Sequence, residues 1–131
     1  MTISNSIIRI VDDEAVVRKA LKFLLESEGW TVEAYEKGSE FLVEDRPSLI
    51  GCLILDVAMP EMNGLELYHR LRERKYEVPV IFLTGHGDVD MAVQAMKDGA
   101  IDFIQKPINE ERLLSAVAKA VRYDETHRGW T

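Results

Sequence analysis

The chain has one cysteine, Cys52, in 131 residues. A lone thiol excludes an internal disulfide and any cysteine-rich zinc site. Its apolar setting, Ile50 to Leu55, reads as a reduced core thiol. Basic residues are in deficit: 16 Lys and Arg against 23 Asp and Glu leave a net charge of −7. That balance argues against non-specific binding to nucleic acid or to an anionic membrane surface. No apolar run approaches the ~18 residues of a membrane span. The first ten residues lack the charged start and cleavage site of a secretory signal, so a cytoplasmic protein is expected. There is no internal repeat and no low-complexity segment. What is present is the mix of an ordinary globule, 47% apolar and 30% charged. A chain of this length forms one domain and can bury about two thirds of its unfolded surface without a metal or disulfide.

Short β-rich runs alternate with amphipathic stretches. Strands are predicted at Ile7–Val11, Thr31–Tyr35, Cys52–Leu55, Val80–Leu83 and Asp102–Gln105. Helices are predicted at Glu14–Glu28, Lys37–Glu44, Leu65–Lys75, Asp88–Asp98 and from Asn109 onward. Gly29 and Gly99 stand where helices stop. Asp88 and Asn109 stand where helices are capped. The central strands are apolar throughout rather than alternating, the pattern of a parallel sheet covered on both faces. The result is an α/β fold of five β-α units. From about Asp124 to Thr131 the chain is polar apart from Trp130. That stretch reads as a frayed end or the start of a linker.

Polar residues interrupt the strands at their C-terminal ends. Asp12 and Asp13 follow the first strand, Asp56 the third, Thr84 the fourth and Lys106 the fifth. Open α/β sheets bind ligands outside the carboxyl ends of their strands, so parallel strands would gather these residues on one edge. Three clustered carboxylates repel one another unless a cation compensates. Oxygen ligands without histidine or cysteine suit Mg²⁺. A lysine and a hydroxyl beside them can bind a phosphoryl group, and Asp56 sits where a carboxylate nucleophile would. Taken singly, each residue has an ordinary reading: a strand-end aspartate caps or turns, a lysine is solvated, a threonine ends a strand. Five at matching strand ends make that reading fail jointly.

The segments Ile10-Val11-Asp12-Asp13-Glu14, Leu55-Asp56-Val57-Ala58-Met59-Pro60, Asn63-Gly64, Leu83-Thr84-Gly85 and Gln105-Lys106-Pro107 resemble the response-regulator receiver domain. The stretch from Thr84 to Ala100 resembles its FixJ-like branch. The resemblance covers roughly residues 5–122 and leaves 123–131 as tail. It implies a doubly wound (βα)5 flavodoxin-like sandwich with strand order 2-1-3-4-5. It implies that Asp56 accepts a phosphoryl group from the phosphohistidine of a sensor kinase. Asp13 and Asp56 would ligate Mg²⁺ directly, Asp12 through water, and the backbone carbonyl of Ala58 would complete the set. Lys106 would pair with the phosphoryl oxygens, Thr84 would bond one of them after transfer, and Phe103 would be the aromatic switch residue. The Lys106-Pro107 bond would be cis.

The face made by the fourth helix, fifth strand and fifth helix, with Val93, Lys97 and Asp102 on or near it, would be a dimer surface. The kinase would dock around Ala15, Arg18 and Pro107. Output would lie in a DNA-binding domain not present here, and the domain itself would be a signalling module rather than an enzyme. His86, two residues after Thr84, and Ala58, two after Asp56, occupy positions that commonly tune dephosphorylation in the family.

Three other readings compete. A Mg²⁺-dependent aspartyl phosphatase wants a second acid two residues after its nucleophile, where this chain has Ala58. A flavodoxin-like cofactor binder wants a hydroxyl- and glycine-rich first loop, where this chain has Asp12-Asp13-Glu14. A degenerate receiver used only for docking would not need the complete set Asp12, Asp13, Asp56, Thr84 and Lys106.

Overall fold

The computed structural model describes residues 6–85 and 88–128. Five strands, β1 (Ile7–Val11), β2 (Thr31–Tyr35), β3 (Gly51–Asp56), β4 (Val80–Thr84) and β5 (Asp102–Gln105), alternate with five helices. The helices are α1 (Ala15–Ser27), α2 (Gly38–Glu44), α3 (Gly64–Glu73), α4 (Val89–Lys97) and α5 (Glu110–Arg128). All four strand pairings are parallel, in the order β2-β1-β3-β4-β5. The chain therefore reverses direction across the sheet between β1 and β3, and that crevice is where an α/β sheet opens to a ligand.

The uniformly apolar strands follow from the layers. Cys52 and Ile54 pack with Leu21 and Leu25 of α1 and with Leu113 and Val117 of α5. Their neighbours Leu53 and Leu55 point the other way, onto Phe41 of α2, Leu67 and Leu71 of α3 and Ala95 of α4. With both faces covered, no residue of β1, β3 or β4 reaches water. Burial raises the Cys52 thiol to about 12, as expected of a core cysteine held neutral.

Helix limits match the predicted ones to within one or two residues, apart from the end of α5. Gly29 and Gly99 adopt positive φ at helix ends, 97° and 111°. Asn109 caps α5 by accepting from the Arg112 N–H at 2.9 Å. The Asp88 side chain does not cap α4 as predicted: its Oδ2 instead accepts from the Gly85 N–H at 3.0 Å.

The stretch from Asp124, read from sequence as a frayed end or linker, is different through Arg128. It continues α5, and Asp124 is buried. Asp124 Oδ2 accepts from the Gly51 N–H at 2.9 Å, and both carboxylate oxygens bind Arg128. Arg128 in turn donates to the carbonyls of Pro47 and Leu49. Within this segment Asp124 and Arg128 form a partly buried ion pair. Trp130 lies outside the described residues.

Candidate functional site

The strand order brings the predicted residues to one edge. Asp12 and Asp13 follow β1, and Asp56 ends the adjacent β3. One carboxylate oxygen from each lies within 4.8 Å of the others. Asp12 and Asp56 are buried, and Asp13 is half-buried. Thr84, also buried, ends β4 on the far side of Asp56, and its carbonyl accepts the Lys106 N–H at 2.7 Å. That bond roots Lys106 at the end of β5. Its ammonium reaches back across the edge, to 3.2 Å from Asp12 Oδ2 and 3.5 Å from Asp56 Oδ2. The Lys106-Pro107 bond is cis.

Local contacts orient the acids. Asp56 Oδ1 accepts from the Ala58 N–H at 3.2 Å, in a turn closed by its own side chain. Asp12 Oδ1 accepts from the Glu14 N–H at 2.9 Å, and Arg18 of α1 donates to the Asp12 carbonyl at 2.8 Å. The second oxygen of Asp12 is buried, close to Lys106 but without an aligned hydrogen bond. Ala58 is exposed beside Asp56.

The electrostatics follow from this crowding. Burial, reinforced by the neighbouring Asp12 charge, pushes Asp56 up to about 7, against the opposing pull of Lys106. Asp12 is also raised, chiefly by burial. Burial by itself would lower Lys106, but the Glu14 hydrogen bond and the charges of Asp12 and Asp56 outweigh it and hold the ammonium above its usual range. Two buried carboxylates and an underbonded oxygen form a site short of positive charge. Hard oxygen donors at this spacing fit a small divalent cation.

Asn63-Gly64, one of the segments that carry the resemblance, has a packing role here. A Cβ on Gly64 would lie 2.4 Å from the Asp56 carbonyl oxygen, so only glycine lets α3 start against the end of β3. Asn63 caps that helix in a reciprocal box with Glu66. Phe103 lies outside the cluster, half-buried and packed on the α2–α4 side of the core. His86 lies outside the described residues.

Two features escaped the sequence reading. Glu14 forms the shortest contact of the Lys106 ammonium, 2.7 Å. At the opposite end of the sheet, Arg9 of β1 is fully buried and pairs with Asp45 at 2.6 Å. Tyr76 donates to the same carboxylate at 2.6 Å. The only sign of Arg9 in the sequence is a single charge inside an apolar strand.

The chain is similar to known proteins. The family model described as the response regulator receiver domain matches residues 8–118. The response regulator protein TodT of Pseudomonas putida is 48% identical over 117 residues, covering 89% of this chain and 52% of TodT. The transcriptional regulatory protein FixJ of Bradyrhizobium diazoefficiens is 41% identical, covering 90% of this chain and 58% of its own. The solved response regulator StyR superposes with a TM-score of 0.90 at 41% identity, over 95% of this chain and 63% of StyR. The chain thus spans about half the length of the curated relatives it matches. No helix among the described residues is long and apolar enough to cross a membrane. With the ends of β1, β3, β4 and β5 converging on an acidic cleft and a lysine, in a doubly wound sheet that superposes on StyR, the chain belongs to the response-regulator receiver domain family, in its FixJ-like branch.

Proposed function

We propose that Asp56 is the phosphoacceptor of a two-component signalling domain, charged by the phosphohistidine of a sensor histidine kinase. The observation that carries this reading is the position of Asp56: buried, clustered with Asp12 and Asp13, and with the Lys106 ammonium 3.5 Å from its Oδ2. One Asp56 oxygen attacks the phosphorus, the bond from phosphorus to the donor breaks, and the donor leaves with that electron pair. A phosphoryl group carries oxygens that need cationic partners on several sides, and Lys106 supplies one. Asp12, Asp13, Asp56 and the Ala58 carbonyl are the groups that would hold Mg²⁺. When bound, the ion supplies the remaining positive charge.

Thr84 and Phe103 are the proposed switch. A phosphoryl group adds charge and acceptor oxygens next to the end of β4. Contacts to Thr84 and Lys106 that exist only in the phosphorylated state shift the population of the face beyond them. That face carries Val89, Val93 and Met96 exposed along one side of α4, an apolar stripe suited to a second copy of the domain. Output would pass to a DNA-binding domain outside this chain, and the −7 charge assigns no nucleic-acid contact to this part.

The test is intact-protein mass after incubation with acetyl phosphate and Mg²⁺, beside Asp56→Asn. One added phosphoryl group, lost in the variant and without metal, is expected. No adduct, together with no beryllofluoride complex, would leave a domain that only docks.

A further inference from the structure

We infer that Glu14 is a positioning residue for the phosphoryl reaction: it holds Lys106 at the rim of the site in the resting state, and an incoming phosphoryl group has to draw Lys106 away from it. This rests on the reading of Asp56 as phosphoacceptor.

Lys106 Nζ stands 2.7 Å from Glu14 Oε1, against 3.2 Å to Asp12 and 3.5 Å to Asp56. The pairing is built rather than incidental. Glu14 is rooted by its own N–H, which donates to Asp12 Oδ1, and Lys106 is rooted by its N–H on the Thr84 carbonyl. Both backbones are fixed at the cleft, and only the two side-chain ends span it. Glu14 is exposed and takes no part in the acidic cluster of Asp12, Asp13 and Asp56. A cation held by that cluster would weaken the pull of Asp12 and Asp56 on Lys106. It would not weaken that of Glu14.

The consequence is directional. A contact present only before phosphorylation stabilises the resting state and opposes the charged one. An exposed ion pair of this kind is small, so its removal should favour phosphorylation by roughly 1.5- to 5-fold.

The experiment compares wild type, Glu14→Gln and Glu61→Gln. Glu61 lies in the groove beside Asp13, on the other side of the acids, and its removal deletes the same charge without touching Lys106. Initial rates of phosphoryl gain from acetyl phosphate at saturating Mg²⁺ would be read by intact mass, with beryllofluoride affinity as the equilibrium counterpart. Thermal melts would verify that all three proteins fold. The expected result is a gain of roughly 1.5- to 5-fold in both readouts for Glu14→Gln, with Glu61→Gln unchanged. Equal gains in both variants would mean a general field effect and overturn the role of Glu14. So would an unchanged or slower Glu14→Gln while wild type takes up phosphoryl. A wild type that takes up none would refute the acceptor reading itself, and this inference with it.

Discussion

Gly64 packs against Asp56 so closely that a methyl group on it would overlap the Asp56 carbonyl oxygen at 2.4 Å and the Val57 Cα at 2.9 Å. The start of α3 and the end of β3 are thus one packed unit, tied also by the Gly64 N–H donating to the Val57 carbonyl at 2.8 Å. The obstacle is backbone, which cannot swing aside as a side-chain tip does. Gly64→Ala should therefore cost about 1–3 kcal/mol in urea unfolding and displace the Asp56 carboxylate. Mg²⁺ titration should show weakened binding even where the variant remains folded. A variant with wild-type stability and metal affinity would show that α3 can retreat freely.

Asp56 makes the metal-free fold sensitive to pH in an unusual direction. Its pKa is about 7 in the fold against an ordinary 3.8. Between those values the native state binds more protons than the unfolded state, so stability falls as pH rises through the window and levels off above it. Asp56→Asn removes that slope. At about pH 8 in chelator it should exceed wild type by about 1–3 kcal/mol, after allowance for solvent screening, and at about pH 4 the gap should close. Urea midpoints of both proteins across that range would check it, and a constant gap would contradict the assignment.

The same proton competes with a metal for Asp56. Mg²⁺ affinity should therefore rise with pH up to about 7 and flatten beyond it. Titration followed by calorimetry would show the bend. Affinity that falls with rising pH would be inconsistent with carboxylate ligation.

Under the proposed function, Lys106 would both repel a cation and attract a phosphoryl group. Lys106→Met should therefore bind Mg²⁺ more tightly, by on the order of tenfold, while taking phosphoryl from acetyl phosphate more slowly. The opposed signs matter, because simple damage to the site would weaken both.

Arg9 supports the far end of the sheet. Its guanidinium binds Asp45 and the carbonyls of Arg46 and Leu49, and lies 5.8 Å from the centre of the Tyr76 ring. Arg9→Ala leaves the Asp45 carboxylate buried with its main partner gone and should cost about 3–5 kcal/mol. Arg9→Met, which also fills the volume, should cost less. Phosphoryl uptake should survive in whichever variant folds, since this network sits at the opposite edge from Asp56.

The division between sequence and structure follows the range of the interactions. Element positions were legible because periodicity, glycine stops and apolar runs act within a few residues. The acidic edge was legible for a related reason. Once five strands are known to run parallel, residues at their C-terminal ends must share a side, and the sequence shows Asp12, Asp13, Asp56, Thr84 and Lys106 there. The motifs also identified the family before any geometry. Three things required the tertiary structure. Glu14 meets Lys106 across 92 positions, and nothing near either residue announces the other. Asp124 meets Gly51 across 73, which turns a polar tail into a buried anchor. The raised Asp56 depends on how deeply the edge is buried and how near Asp12 comes. Sequence specifies which charges exist, but burial and distance set what each one is worth, and those belong to the packed fold alone.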